Sequence, residues 1–190
     1  MKLIKASTQH HFDRIQQLYI NSFPQCERKP FKIMLDGQEK GVVDIWYISD
    51  NDNAEDTENF IGLAITMKTK DLVLLDYFAI DSSKRACGYG SKALALLQEH
   101  YSSKRFFLEI ENVYGQADNQ ELREKRKHFY INNNMQELRM SANIYGTPME
   151  ILVYGCTLEY EEYLSVYSDV YGSDRLANIQ YIPYDELKNY

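Results

Sequence analysis

The stretch "DSSKRACGYGSKALALL", residues 81–97, decides how the chain is read. Two glycines, Gly88 and Gly90, flank Tyr89 directly before a run with leucines at helical spacing. A strand that passes through a glycine-rich turn into a helix has a physical use beyond connection. The first turn of a helix carries unpaired N–H groups, and the helix dipole adds partial positive charge there. Glycines remove side chains that would hold an anion away, so successive amides can converge on a phosphate. Lys84 and Arg85 add cationic side chains beside the turn. A plain strand-to-helix turn and a nucleotide loop compete with this reading. A Rossmann fingerprint allows Ala93 at its third glycine position but belongs after a first strand. A Walker loop needs a longer spacing between its glycines than "GYGSK" provides.

The elements around this turn are regular. "KLIKA" reads as a strand, and "STQHHFDRIQQLYINSF" as a helix capped by Ser7 or Thr8, with Phe12, Ile15, Leu18, Tyr19 and Phe23 as its apolar stripe. Pro24 ends it. A shorter helix is expected within "RKPFKIMLDG", with Pro30 in its first turn and Gly37 as its stop. Strand-like runs follow at 41–49, 60–69 and 72–81, the last two joined by a tight hairpin at Lys70-Asp71. The acidic "DNDNAEDTEN" between the first two reads as a long solvated hairpin loop. A helix from Gly90, the strand "RFFLEIENV" and a polar helix ending in "KHFYINNNM" come next. Two strands separated by a Gly146-Thr147-Pro148 turn and a helix carrying Tyr160, Tyr163, Leu164, Tyr167 and Tyr171 complete the chain, with a short tail. Strands and helices are mixed and the middle is a meander, so the expectation is an α+β fold with a mixed sheet.

Composition narrows the function classes. The 190 residues suit one domain, and 44% hydrophobic with 26% charged residues is the balance of a soluble globular protein. The net charge of −7 disfavours a nucleic-acid surface. No apolar run approaches the roughly 18 residues of a membrane span. The first residues lack the apolar core of a signal peptide, which makes cytoplasmic the expected location. Cys26, Cys87 and Cys156 are scattered, against a disulfide framework or a structural metal site.

Arg85-Ala86-Cys87-Gly88-Tyr89-Gly90 resembles the Arg/Gln-x-x-Gly-x-Gly/Ala pyrophosphate motif of the GNAT superfamily of acyl-CoA N-acyltransferases. "LVLLDYFAID" looks like that family's fourth strand, and "KHFYINNNM" like its Phe-Tyr-x-x-x-Gly-Phe segment. The resemblance spans roughly residues 2–155 in the family's element order. It implies a mostly antiparallel sheet of about seven strands flanked by helices, with strands four and five splayed. Residues 1–156 would form the acetyltransferase domain, with 157–190 a C-terminal helix and tail packed on it. It implies acetyl-CoA as co-substrate, without a metal. Phe78, Ala79 and Ile80 would pair with pantetheine, and the diphosphate would rest on Arg85 and the amides of Ala86, Cys87, Gly88, Tyr89, Gly90 and Ser91. Asn119 would reach the pantetheine or acyl arm, and Tyr130 would give a proton to the departing thiolate. The sequence carries Ala86 where the family often has glycine, Cys87 where it often has a basic residue, and Asn134-Met135 in place of Gly-Phe. Asn134 is expected to take the left-handed conformation that glycine would.

The resemblance implies an N-acetyltransferase that would act by direct attack of a primary amine in a ternary complex. The alternative is an acyl-CoA-binding sensor or interaction module that kept the fold without turnover. Attack on a thioester requires a neutral amine, so a base must take a proton. Glu109, Glu111 and Asp76 are the candidates, with Glu109 preferred. The four histidines read as surface residues. "REKRK" at 123–127 reads as a solvated face, or as a contact for the 3′-phosphate of coenzyme A. The tyrosine stripe of the last helix reads as packing, with an acceptor pocket or a homodimer contact as other uses. Glu159, Glu161 and Glu162 beside it would favour a cationic small-molecule or peptide amine.

Overall fold

The computed structural model describes residues 1–50, 59–115 and 117–189. Most of the acidic segment expected to be a solvated loop therefore lies outside the described residues. The fold is mixed α+β, with strands in the order β1-β2-β3-β4-β5-β7-β6-β8. The chain divides into two compact units. The first is Met1–Lys68 with Leu75–His100, and the second is Thr69–Leu74 with everything from Tyr101 onward.

In the first unit, β1 (Lys2–Lys5) and β3 (Phe60–Lys68) pair antiparallel with β2 (Val43–Ser49). Every residue of β2 and all but the last of β3 are buried, which is why their sequence shows no alternation. Helix α1 (Gln9–Ser22) starts at Thr8, whose side chain accepts from His11 N–H, and turns His11, Ile15, Leu18 and Tyr19 inward. His11 is therefore a core residue against the Tyr47 ring (4.8 Å between centroids), not a surface one as expected. Helix α2 (Phe31–Glu39) runs through Gly37 instead of stopping there. Gly37 is buried against Val43, and the chain turns only at Gly41, where φ is 78°. Gln38 ties α2 to the sheet by donating to Ala6 O (2.9 Å) and accepting from Ile45 N–H (3.0 Å). β4 (Leu72–Ile80) leads through a short 3-10 turn (Ser82–Lys84) into α3 (Tyr89–His100), which buries Ala93, Leu94 and Leu97.

The second unit is built on β5 (Arg105–Glu111), which pairs antiparallel with β7 (Thr147–Tyr154). β6 (Gln136–Ile144) pairs antiparallel with the other edge of β7. The β6–β7 turn falls on Tyr145 (φ 51°) and Gly146 (φ 88°), one residue before the expected position. The register slips between Glu137 and Ser141, a bulge that displaces 138–140. An eighth strand, β8 (Ile179–Pro183), pairs with β6, so the segment read as a tail extends the sheet beyond seven strands. Helix α4 (Gln120–Asn132) ends in Asn134 at φ 65°, with Met135 N–H returning to Tyr130 O (3.1 Å). Asn134 thus does what glycine does in such an end, as expected. Helix α5 (Tyr160–Tyr171) opens on a capping box between Glu159 and Glu162. Arg105 anchors this helix to β5 by bonding both oxygens of Glu162 (2.7 and 2.8 Å).

Candidate active site

In the first unit, the C-terminal end of β4 presses on β3 at Gly62. A side chain there would collide with the carbonyl oxygen of Ala79, so the path of Phe78–Ile80 depends on that glycine. Asp81 caps the next turn, accepting from Ser83 hydroxyl (2.7 Å) and Ser83 N–H (2.9 Å). Those two bonds, the hydroxyl first, hold its carboxyl below the usual range. Arg85 Nε folds back onto Ile80 O (3.1 Å) and clamps the strand end to the turn.

The backbone between Arg85 and α3 is the unusual part. Ala86 (φ 62°) and Gly88 (φ 76°) are both left-handed, with Cys87 between them. A Cβ on Gly88 would meet nothing within 4 Å, so the surface beside it is open. The amides of Tyr89, Gly90 and Ser91 lie ahead of Lys92, whose N–H bonds Gly88 O (3.2 Å). Left-handed residues on either side of Cys87, followed by a helix N-terminus, turn successive N–H groups toward a site suited to an anion. Of the two glycines, Gly88 takes the left-handed conformation. Gly90 does not, because it already belongs to α3. Tyr89 donates to Asp50 (2.9 Å), so its ring is held on the side of β2. Cys87 is an exposed free thiol.

Asp76, one of the acids considered as base, is closed by Lys29, whose Nζ is 2.7 Å from both of its oxygens. Burial, and then the Asp76 charge, push the neighbouring Tyr77 phenol far above its ordinary range.

In the second unit the acids of β5 have different surroundings. Glu111 is paired with Arg123 (2.6 Å) and Arg126 (3.1 Å), both from α4. Glu109, preferred as base, accepts hydrogen bonds from Tyr163 (2.6 Å) and Tyr167 (2.8 Å to each carboxylate oxygen), one turn apart on α5. The stripe read as packing therefore has two hydroxyls on a carboxylate. Spacing on the helix put both rings on one face, but the partner lies more than fifty positions upstream and leaves no local signal.

Asn119 sits at the N-cap of α4, and its carboxamide oxygen accepts from Arg123 Nε (2.8 Å). Lys127 lies between Glu150 (2.6 Å) and Glu137 (3.1 Å), and Lys125 pairs with Glu121 (2.6 Å). "REKRK" thus keeps an exposed face at Glu124, Lys125 and Arg126, as expected, while its cations pair with β5, β6, β7 and its own helix. Tyr130 is 8% exposed, next to Phe129 with 5.1 Å between ring centroids. Burial, eased by the charge of Arg126, pushes its phenol up to about 12, so it is protonated at neutral pH.

A cavity of about 570 Å³ opens between the bulged 138–140 segment of β6, 158–161 at the start of α5, and Tyr181 of β8. Arg139, Glu159 and Glu161 line it, Glu159 being also engaged in the helix cap, whereas Glu162 is spent on Arg105. Among the described residues no group of His, Cys, Asp or Glu side chains is arranged to hold a metal, and no helix is long and apolar enough to cross a membrane.

The sequence matches no protein-family model and no curated protein. The fold has clear counterparts among solved structures. A Bacteroides thetaiotaomicron protein assigned to the GNAT family of acetyltransferases superposes with a TM-score of 0.73 at 21% identity, over 90% of this chain and 99% of its own. An aminoglycoside 6′-N-acetyltransferase complexed with coenzyme A gives 0.62 at 15% identity, over 80% and 96%. The ribosomal-protein-S18-alanine N-acetyltransferase from Escherichia coli gives 0.58 at 15% identity, over 84% and 96%. At these identities the likeness establishes the fold, which is that of the GNAT N-acetyltransferases.

Proposed function

We propose that this chain is an N-acetyltransferase that moves the acetyl group of acetyl-CoA to a primary amine by direct attack in a ternary complex. The observation that carries the reading is the pair of left-handed residues, Ala86 and Gly88, ahead of the α3 N-terminus on a GNAT fold. That backbone offers amides to a diphosphate without requiring a basic side chain at position 87. Ala86, an L-residue held where the resembled family often has glycine, shows that the conformation persists despite a local steric cost.

In this reading the amides of Ala86–Ser91 and the end of β4 at Phe78–Ile80 hold the cofactor. Arg85 fixes the loop through Ile80 O, and Asn119 serves the acyl arm from the start of α4. Glu109 takes a proton from the acceptor ammonium. The neutral nitrogen then attacks the thioester carbonyl, the C–N bond forms and the C–S bond breaks. Tyr130, protonated at neutral pH, supplies the proton to the departing thiolate and recovers one from the new amide nitrogen through solvent. The sum is ammonium plus acetyl-CoA giving amide, free thiol and one proton.

Isothermal titration with acetyl-CoA, followed by thiol release across polyamine, aminoglycoside and peptide amines, tests the proposal. Absence of binding at millimolar cofactor refutes it. Binding with no thiol release from any amine instead supports the non-catalytic acyl-CoA sensor.

A further inference from the structure

We propose that Tyr163 and Tyr167 are positioning residues that orient the Glu109 carboxylate and set the pH at which it accepts a proton. The proposal rests on the reading of Glu109 as the base of the acetyl transfer. A glutamate has three side-chain torsions, and a half-buried one left to itself would favour its neutral form. Here both carboxylate oxygens are held. Tyr163 donates to Oε1 at 2.6 Å, while Tyr167 lies 2.8 Å from both oxygens.

The two donors are rigid. Tyr163 is fully buried and Tyr167 is 4% exposed. Their rings meet edge-on at 5.6 Å, and Tyr163 also packs against Phe107 at 6.1 Å. Helix α5, which carries them, is pinned to β5 by Glu162 and Arg105, so their hydroxyls are delivered from a fixed frame. Burial and then the Glu109 charge hold the Tyr163 phenol well above its ordinary range, which keeps it a donor at neutral pH.

The neighbours of Glu109 within the sheet fit this assignment. Its register partner on β7 is Ile151, which is apolar. Along β5 the residues two positions away are Phe107 and Glu111, and the Glu111 charge is closed by Arg123 and Arg126. Hydrogen bonds to the charged form favour it. The tyrosines therefore offset the desolvation of Glu109. A base held by phenols remains able to take a proton.

The test compares Glu109→Gln, Tyr163→Phe and Tyr167→Phe in thiol release, with the most productive of spermidine, an aminoglycoside and a peptide carrying a free N-terminus. The acid limb of kcat/KM reports the base in the free enzyme. Removing one donor to the anion is expected to move that limb up by about one pH unit in each Phe variant. Glu109→Gln is expected to lose about 100-fold and the acid limb with it. Full activity in Glu109→Gln overturns the base reading. A large loss there with an unmoved limb in both Phe variants overturns the positioning role alone. Carbon-13 titration of the Glu109 carboxyl, identified by its absence in Glu109→Gln, gives the same comparison without turnover. A midpoint unchanged in Tyr167→Phe refutes the proposal even where no amine is productive.

Discussion

Replacing Lys127 by methionine should destabilise the second unit more than neutralising its partner does. Lys127 Nζ lies 2.6 Å from Glu150 and 3.1 Å from Glu137, and the side chains of Lys127 and Glu150 are 12% and 2% exposed. The other Glu150 oxygen accepts from Val113 N–H (3.0 Å). Methionine keeps the length of the lysine stem and deletes the cation, leaving Glu150 buried with its charge facing an apolar side chain. Breaking a buried pair in this way costs about 3–5 kcal/mol. Glu150→Gln leaves Lys127 charged but still beside Glu137 and keeps an acceptor for Val113, so its cost is about 1–2 kcal/mol. The double variant removes both charges and should sit closer to Glu150→Gln than the sum of the single effects, a coupling of about 1–3 kcal/mol. For a chain of this size about 2–4 °C accompanies each kcal/mol, so Lys127→Met should lower Tm by roughly 6–20 °C. Burial acts to lower the Lys127 pKa, but its bonds to Glu150 and Glu137 outweigh it and raise the value. A raised lysine stabilises fully below its unfolded pKa and loses that contribution as pH rises through its folded one. The Lys127 contribution is therefore present at neutral pH and is lost on the alkaline side. Urea and thermal unfolding of the four proteins decide the matter. A Lys127→Met variant within about 1 kcal/mol of the parent, or less damaging than Glu150→Gln, would refute the reasoning.

Three further outcomes are expected. Gly88→Ala meets no steric obstacle outside its own backbone, so its cost is that of a left-handed L-residue, about 1–2 kcal/mol by chemical denaturation. The same variant should bind acetyl-CoA more weakly in titration calorimetry, and unaltered affinity would remove the loop from the cofactor site. Glu162 is held at about 2 by Arg105 first and then by the Glu159 N–H. A depressed carboxylate stabilises above its unfolded pKa and loses that contribution as pH falls through the folded value. Glu162→Gln should therefore unfold at higher pH in an acid titration followed by circular dichroism, and an unmoved midpoint would remove this anchor from α5. Tyr130 should ionise only near pH 12 in an ultraviolet absorbance titration, as burial dictates. Tyr130→Phe should lower turnover about 100-fold with a productive amine, and unchanged turnover would end its assignment as proton donor.

Much of the fold was legible because it is written in local patterns. Thr8 caps α1 and Asn134 takes the left-handed end of α4 because both depend on neighbouring backbone N–H and C=O groups alone. Errors arose where a distant segment overrode the local signal. Gly37 reads as a stop, but its lack of a side chain lets α2 lie against Val43. "IQYIP" reads as tail because five residues without a clear turn give little periodic signal, and it becomes a strand through pairing with β6. His11 is polar in type and buried in fact, since the Tyr47 ring covers it.

The sequence by itself determined the meander, the helix boundaries to within a few residues, and the glycine turn that follows the fourth strand. All of these rest on periodicity and on which residues tolerate a left-handed backbone. Only the tertiary structure decided the state of each acid. Asp76, Glu109 and Glu111 are alike in the sequence, yet one meets a lysine, one two phenols and one two arginines. It also decided that Ala86 shares the left-handed turn with Gly88, a conformation no alanine adopts on propensity alone. The reason is physical. A carboxylate's charge depends on the partners that folding brings to it, and those partners stand dozens of residues away on other elements.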